Sequence, residues 1–104
     1  MDRTAEDARE LLRAAREIHV GRHGAQTFTL GTHLPLEEAG RRIGLNPNRL
    51  RYYDAIKELA YEAAIERDER ARYARGDWHH VITQRGLDGA GYSQERERSK
   101  RFPE

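Results

Sequence analysis

The stretch LEEAGRRIGLNPNRLRYYD, residues 36–54, decides the fold of this chain, because its small, apolar and basic residues recur at the spacing of a helix-turn-helix. Two short helices that cross closely need a small residue on the first and a residue tolerant of positive φ in the turn. Gly40 and Gly44 meet those needs. With Leu36 as the first position, Ala39, Ile43, Leu45, Leu50 and Tyr53 take the inward positions, and no charge interrupts the set. Asn46-Pro47 then offers a side-chain acceptor at an N-cap followed by proline at the first helical position, so a second helix is expected over 47–55. Its outward residues are Asn48, Arg49, Arg51 and Tyr52, a set rich in amide and guanidinium groups that suit base edges and phosphates. The plainer alternative is an ordinary helical hairpin, since glycine serves any such turn and arginine-rich faces often meet only water.

Residues 45–54, with the glycine before them, read GLNPNRLRYYD and resemble the opening motif of MerR-type regulators: glycine, an apolar residue, a Ser/Asn-type cap, then Leu-Arg-Tyr-Tyr and an acid. The resemblance implies a winged-helix-like DNA-binding head in a transcription regulator, with Arg51 and Tyr52 contacting phosphates or bases. With the helix before it, 36–54, the resemblance covers about a fifth of the chain. Beyond the motif the chain continues KELAYEAAIERDERARYAR, where those regulators carry a Gly-Leu-Leu-x-Pro turn and a Gly-Tyr-Arg wing. A phage excisionase, or another small helix-turn-helix protein of a mobile element, fits the motif equally well.

Working outward, 104 residues make one domain with one modest core, and a mean hydropathy of −1.02 leaves little apolar surface for a second. The absence of cysteine excludes disulfides and cysteine-ligated zinc. No apolar run reaches the length of a membrane span and the charged N-terminus does not read as a signal peptide, so a cytoplasmic protein is expected. Net charge is only +1, so its distribution matters more than its total. Within 36–53, Arg41, Arg42, Arg49 and Arg51 outnumber Glu37 and Glu38; within 54–69, six acids outnumber Lys57 and Arg67. The second segment is therefore not expected to lie along a phosphate backbone.

Upstream, Thr4 with Asp7 resembles a capping pair, and Ala8, Leu11, Leu12, Ala15 and Ile18 at helical spacing predict an amphipathic helix over 4–19 that residues 21–24 break. Residues 26–30 alternate threonine with Phe28 and Leu30, the pattern of a short strand, and HHVIT over 79–83 is its natural partner. Downstream, Leu50, Tyr53, Ile56, Leu59, Ala60, Ala63 and Ala64 keep three-and-four spacing, so the second motif helix is expected to run on, or bend and restart, as far as about Arg75. That stripe either packs within the monomer or forms part of a dimer seam. Trp78 is expected in the core. His19 and His23 have chelating i, i+4 spacing, but two glycines fray that face and no carboxylate partner is fixed. Residues 87–92 read as a turn or wing tip.

These readings predict a mainly α fold: a helix-turn-helix core with a long following helix and a small two-stranded wing pairing 26–30 with 79–83. A single domain over 1–92 is followed by a basic tail over 93–104. The expected function is sequence-specific binding of double-stranded DNA by a homodimer, a small repressor-like transcription regulator of bacterial or phage origin. Arg41 and Arg42 are assigned to phosphates, and Asn46, Asn48, Arg49, Arg51 and Tyr52 to the recognition surface. The competing class is a phage or mobile-element protein-interaction module that engages a host protein through 54–80. No cofactor, metal site or catalytic residue is expected, since the chain has no phosphate-binding glycine loop, no Gly-x-Ser-x-Gly elbow and no His-Glu-x-x-His.

Overall fold

Ala8, Leu11, Leu12, Ala15 and Ile18 are all buried along one face of a first helix, α1 (Thr4–His23), on which the rest of the molecule is built. The computed structural model describes residues 3–68 and 80–90. After α1 come a 3₁₀ turn (Ala25–Thr27), α2 (Leu36–Arg42), α3 (Leu50–Tyr61), β1 (Ile65–Arg67), β2 (His80–Ile82) and α4 (Gln84–Ala90). The described chain is thus mainly helical with a small two-stranded antiparallel sheet. Leu36 and Ala39 of α2, and Tyr52, Ala55 and Leu59 of α3, pack in one core with α1, and Leu34, Leu45, Ile65 and Ile82 close it from below. The expected four-residue break at 21–24 is a single stop. Gly21 keeps the α1 hydrogen-bond ladder, and the helix ends only at Gly24, whose φ of 91° no ordinary helical residue adopts.

Both helices of the motif end in the same way. Past α2, Gly44 at φ 82° lets the Leu45 amide donate back to the Gly40 carbonyl at 2.7 Å; past α3, Ala63 at φ 60° lets the Ala64 amide donate to the Leu59 carbonyl at 2.9 Å. This is the Schellman closure, and in each case the residue after the left-handed position is buried beside the helix it closes. The second closure stops α3 at Tyr61 and turns the chain into β1, so the long helix expected toward Arg75 ends early.

The sheet pairs Ile65 with Ile82, Glu66 with Val81 and Arg67 with His80. The expected C-terminal strand is therefore present at 80–82, but its ladder partner is 65–67 and not 26–30. The other edge of β2 is covered by residues 31–34: the Gly31 and Leu34 amides donate to the Ile82 and His80 carbonyls, Ile82 donates to Thr32, and His33 bridges Val81. The alternating threonines of 26–30 read as a strand, but local bonds of the Thr27 hydroxyl and the Thr29 amide hold the segment in turns. Thr27 Oγ1 donates to the Gly24 carbonyl at 2.7 Å, and Thr32 Oγ1 receives the Thr29 amide at 3.1 Å. Thr83 then opens α4, its hydroxyl accepting from the Gly86 amide at 3.0 Å, which makes a helix of the 87–90 segment expected to be a turn. Trp78, Tyr92 and the 93–104 tail lie outside the described residues.

Candidate nucleic-acid interface

The last turn of α2 carries Arg41 and Arg42 into solvent, where their charge also complements the negative end of the helix dipole. Gly40, one residue earlier, is the point of close approach between α2 and α3: a methyl group there would stand 2.7 Å from the Leu45 carbonyl oxygen and 3.0 Å from the Tyr52 ring. That contact sets where the chain re-emerges after the turn. Residues 46–49 then form a tight loop in which Asn46 Oδ1 accepts the Asn48 amide at 2.9 Å and the Asn46 carbonyl accepts the Arg49 amide at 3.0 Å. Arg49 is extended, at φ −114° and ψ 154°, and starts α3 without a side-chain cap.

Asn46, Asn48 and Arg49 are exposed along this loop. Glu37, Arg41, Gly44, Asn46, Pro47 and Asn48 line a common hollow of about 360 Å³, which brings the arginine of α2 beside the amides of the loop. Arg41 and Arg42 also border a hollow of about 590 Å³ against α1, where Glu17 and Glu38 offset the arginines; Arg22 at its rim pairs with Glu38.

Two residues assigned from sequence to the recognition surface are placed elsewhere. Arg51 forms a two-pronged ion pair with Asp7 of α1, Nε to Oδ2 at 2.8 Å and a terminal nitrogen to Oδ1 at 2.9 Å. That hydrogen bonding, then the carboxylate's charge, holds the guanidinium above its ordinary pKa, so Arg51 fastens α3 to α1. Tyr52 is 6 % exposed and belongs to the core. The reason is register. Pro47 does not open the second helix; the Asn46 side chain caps a turn, and α3 begins at Leu50, three residues later than expected. The buried stripe becomes Tyr52, Ala55 and Leu59, while Leu50 and Tyr53, expected inward, are 80 % and 51 % exposed.

Asp7 was missed as a partner, although its place in the Asp7, Leu11, Ala14, Ile18 stripe of α1 is itself a signal: a charge on an apolar helical face needs an opposite one. His19 and His23 lie with ring centroids 4.8 Å apart, tilted by 48°, and His19 Nε2 is 2.9 Å from Thr27 Oγ1. Burial, then the charge of His23, lowers the His19 pKa. Among the described residues no group of three or more His, Cys, Asp or Glu is disposed to hold a metal, and no helix is long and apolar enough to cross a membrane. Compared with known proteins, the chain matches no family model, no curated sequence and no solved structure.

Proposed function

We propose that this chain is a sequence-specific double-stranded DNA-binding protein, a small transcription regulator that meets the duplex with the loop between α2 and α3. The observation that carries the reading is the exposure, around one turn, of three cations and two amides: Arg41, Arg42, Asn46, Asn48 and Arg49. Glycine and cap geometry make that turn rigid, so its side chains start from a fixed frame. Arg41 and Arg42 bond phosphates and set the register of the protein on the duplex. Asn48 offers the donor and acceptor pair that suits adenine, Asn46, whose oxygen caps the turn, offers its amide donor, and Arg49 the fork that suits guanine. Replacing Arg49 and Arg42 separately by alanine tests the division of labour. Loss of Arg49 relaxes specificity at one base position, by about 1–3 kcal/mol, while loss of Arg42 weakens cognate and random duplexes alike. Equal losses on both duplexes in both variants would remove the assignment.

A second reading is favoured by the apolar exposure of the end of α3, where Tyr61 is 87 % exposed. In that reading the chain is a protein-interaction module that uses the segment 54–80. Salt separates the two, since phosphate contacts weaken steeply with added salt and an apolar protein interface changes little.

A further inference from the structure

The face of α3 turned away from the core has a composition that neither its packing nor the turn residues explain. Leu50, Asp54, Lys57 and Tyr61 fall within an arc of about 60° on the helix, with Tyr53 at its margin, and the stripe runs about 16 Å from end to end. All are exposed, Leu50 to 80 % and Tyr61 to 87 %. Along the axis the stripe reads apolar, acid, base, apolar. That order is its own complement when reversed: turned end for end about a point between Ala55 and Ile56, Leu50 falls opposite Tyr61, and Asp54 opposite Lys57. Laid parallel, the same stripe opposes acid to acid and base to base.

We propose that this face is the seam of a two-fold pair, in which α3 lies antiparallel against α3 of a second copy of this chain. Each end of the seam buries a leucine against a tyrosine, and two Asp54–Lys57 pairs, one in each direction, fix the antiparallel sense. At the 8–10 Å separation usual for packed helices, both charged side chains reach across. The two-fold follows from the pattern, because a stripe that is self-complementary on reversal needs only one copy of itself as partner. Residues 46–49 lie beyond the Leu50 end, so the pair is independent of the DNA reading. One helix face is a small interface, which makes the association reversible and concentration-dependent.

Sedimentation equilibrium of the full chain without DNA, from about 1 μM to about 1 mM, reads the association directly. Wild type passes from monomer to dimer across that range. Asp54→Lys alone and Lys57→Asp alone each weaken pairing at least about tenfold, and the double exchange D54K/K57D restores it to near the wild-type value, since the crossed pairs re-form with signs reversed. A wild type that stays monomeric throughout, or a dimer indifferent to the single exchanges, overturns the proposal. So does a double exchange that adds the two losses. If wild type is monomeric and Leu50→Glu or Tyr61→Glu abolishes duplex binding, the face belongs to DNA; if an unrelated protein is captured by a monomeric chain through it, the second copy is likewise excluded. Failure here leaves the Arg49 and Arg42 experiment untouched.

Discussion

Three glycines that differ in backbone conformation and surroundings make a graded test of the α2–α3 crossing. Gly21 is exposed inside α1 with open space where a side chain would go, so Gly21→Ala gains helix propensity and narrows the unfolded ensemble, about 0.5–1 kcal/mol of stabilisation. Gly44 also has open space but sits at φ 82°, where an L-residue is strained by about 1–2 kcal/mol, so Gly44→Ala destabilises by about 1 kcal/mol. Gly40 is helical, so alanine there brings the same propensity gain as at Gly21. Its methyl group, however, meets the Leu45 carbonyl at 2.7 Å and the Tyr52 ring at 3.0 Å. The carbonyl is backbone, held by the turn that closes α2, and the ring is packed in the core; neither retracts cheaply. Overpacking of this kind runs to about 1–3 kcal/mol, and after the propensity gain the net loss is about 1–2 kcal/mol. Urea unfolding followed by circular dichroism reads all three from the midpoint at constant slope. The required order is Gly21→Ala above wild type, then Gly44→Ala and Gly40→Ala below it. A Gly40→Ala protein as stable as Gly21→Ala would refute the close approach of the two helices, and with it the placement of the loop.

Other consequences follow from the helix ends and ion pairs. Ala63 holds a left-handed conformation at the end of α3, so Ala63→Gly should raise stability by about 0.5–1 kcal/mol; a lower midpoint would contradict that closure. Arg51→Ala leaves the nearly buried Asp7 carboxylate without its two-pronged partner and should lower the melting temperature, and adding Asp7→Ala should recover part of the loss; strictly additive losses would deny the pair. Because His19 has a folded-state pKa below its ordinary 6.5, the unfolded chain takes up that proton first, so its contribution is intact above about pH 6.5 and is lost as pH falls through the folded value. His19→Gln should flatten the fall in melting temperature as pH drops below about 6.5; an unchanged slope would count against the shift.

Much of this arrangement is written in spacing. The α1 stripe, the small residue at Gly40 and the positive φ at Gly44 each follow from what neighbouring backbone requires, and all three appear where the periodicity places them. The register of α3 was harder to read. Asn46-Pro47 carries a sound helix-start signal, yet the asparagine satisfies the Asn48 amide within a turn, and the helix opens only after the extended Arg49. That delay exchanges the inward pair Leu50 and Tyr53 for Tyr52 and Ala55. Asp54 and Lys57 hold the corrective clue, since the stripe through Leu50 contains both charges and the Tyr52, Ala55, Leu59 stripe contains none. The end of α3 has no such clue, because alanine at Ala63 does not announce a left-handed residue. The partner of β2 is hidden for the same kind of reason: threonines favour strands only when their hydroxyls find nothing nearer, and the hydroxyls of Thr27 and Thr32 bond within the segment. Of the expected recognition set, two residues stay exposed on the last turn of α2 and three on the loop, Tyr52 goes into the core, and Arg51, though still half exposed, is tied to Asp7.

The turn between α2 and α3 is proposed to read duplex DNA. Its most direct test is fluorescence anisotropy of the full chain on a duplex selected from a random pool, titrated at two salt concentrations for wild type, Arg42→Ala and Arg49→Ala. Wild type should show a steep salt dependence, Arg42→Ala a log–log slope reduced by about 0.9, and Arg49→Ala a loss of preference over random duplex. Binding that no duplex competes for better than another, or that ignores both salt and these two arginines, would contradict it.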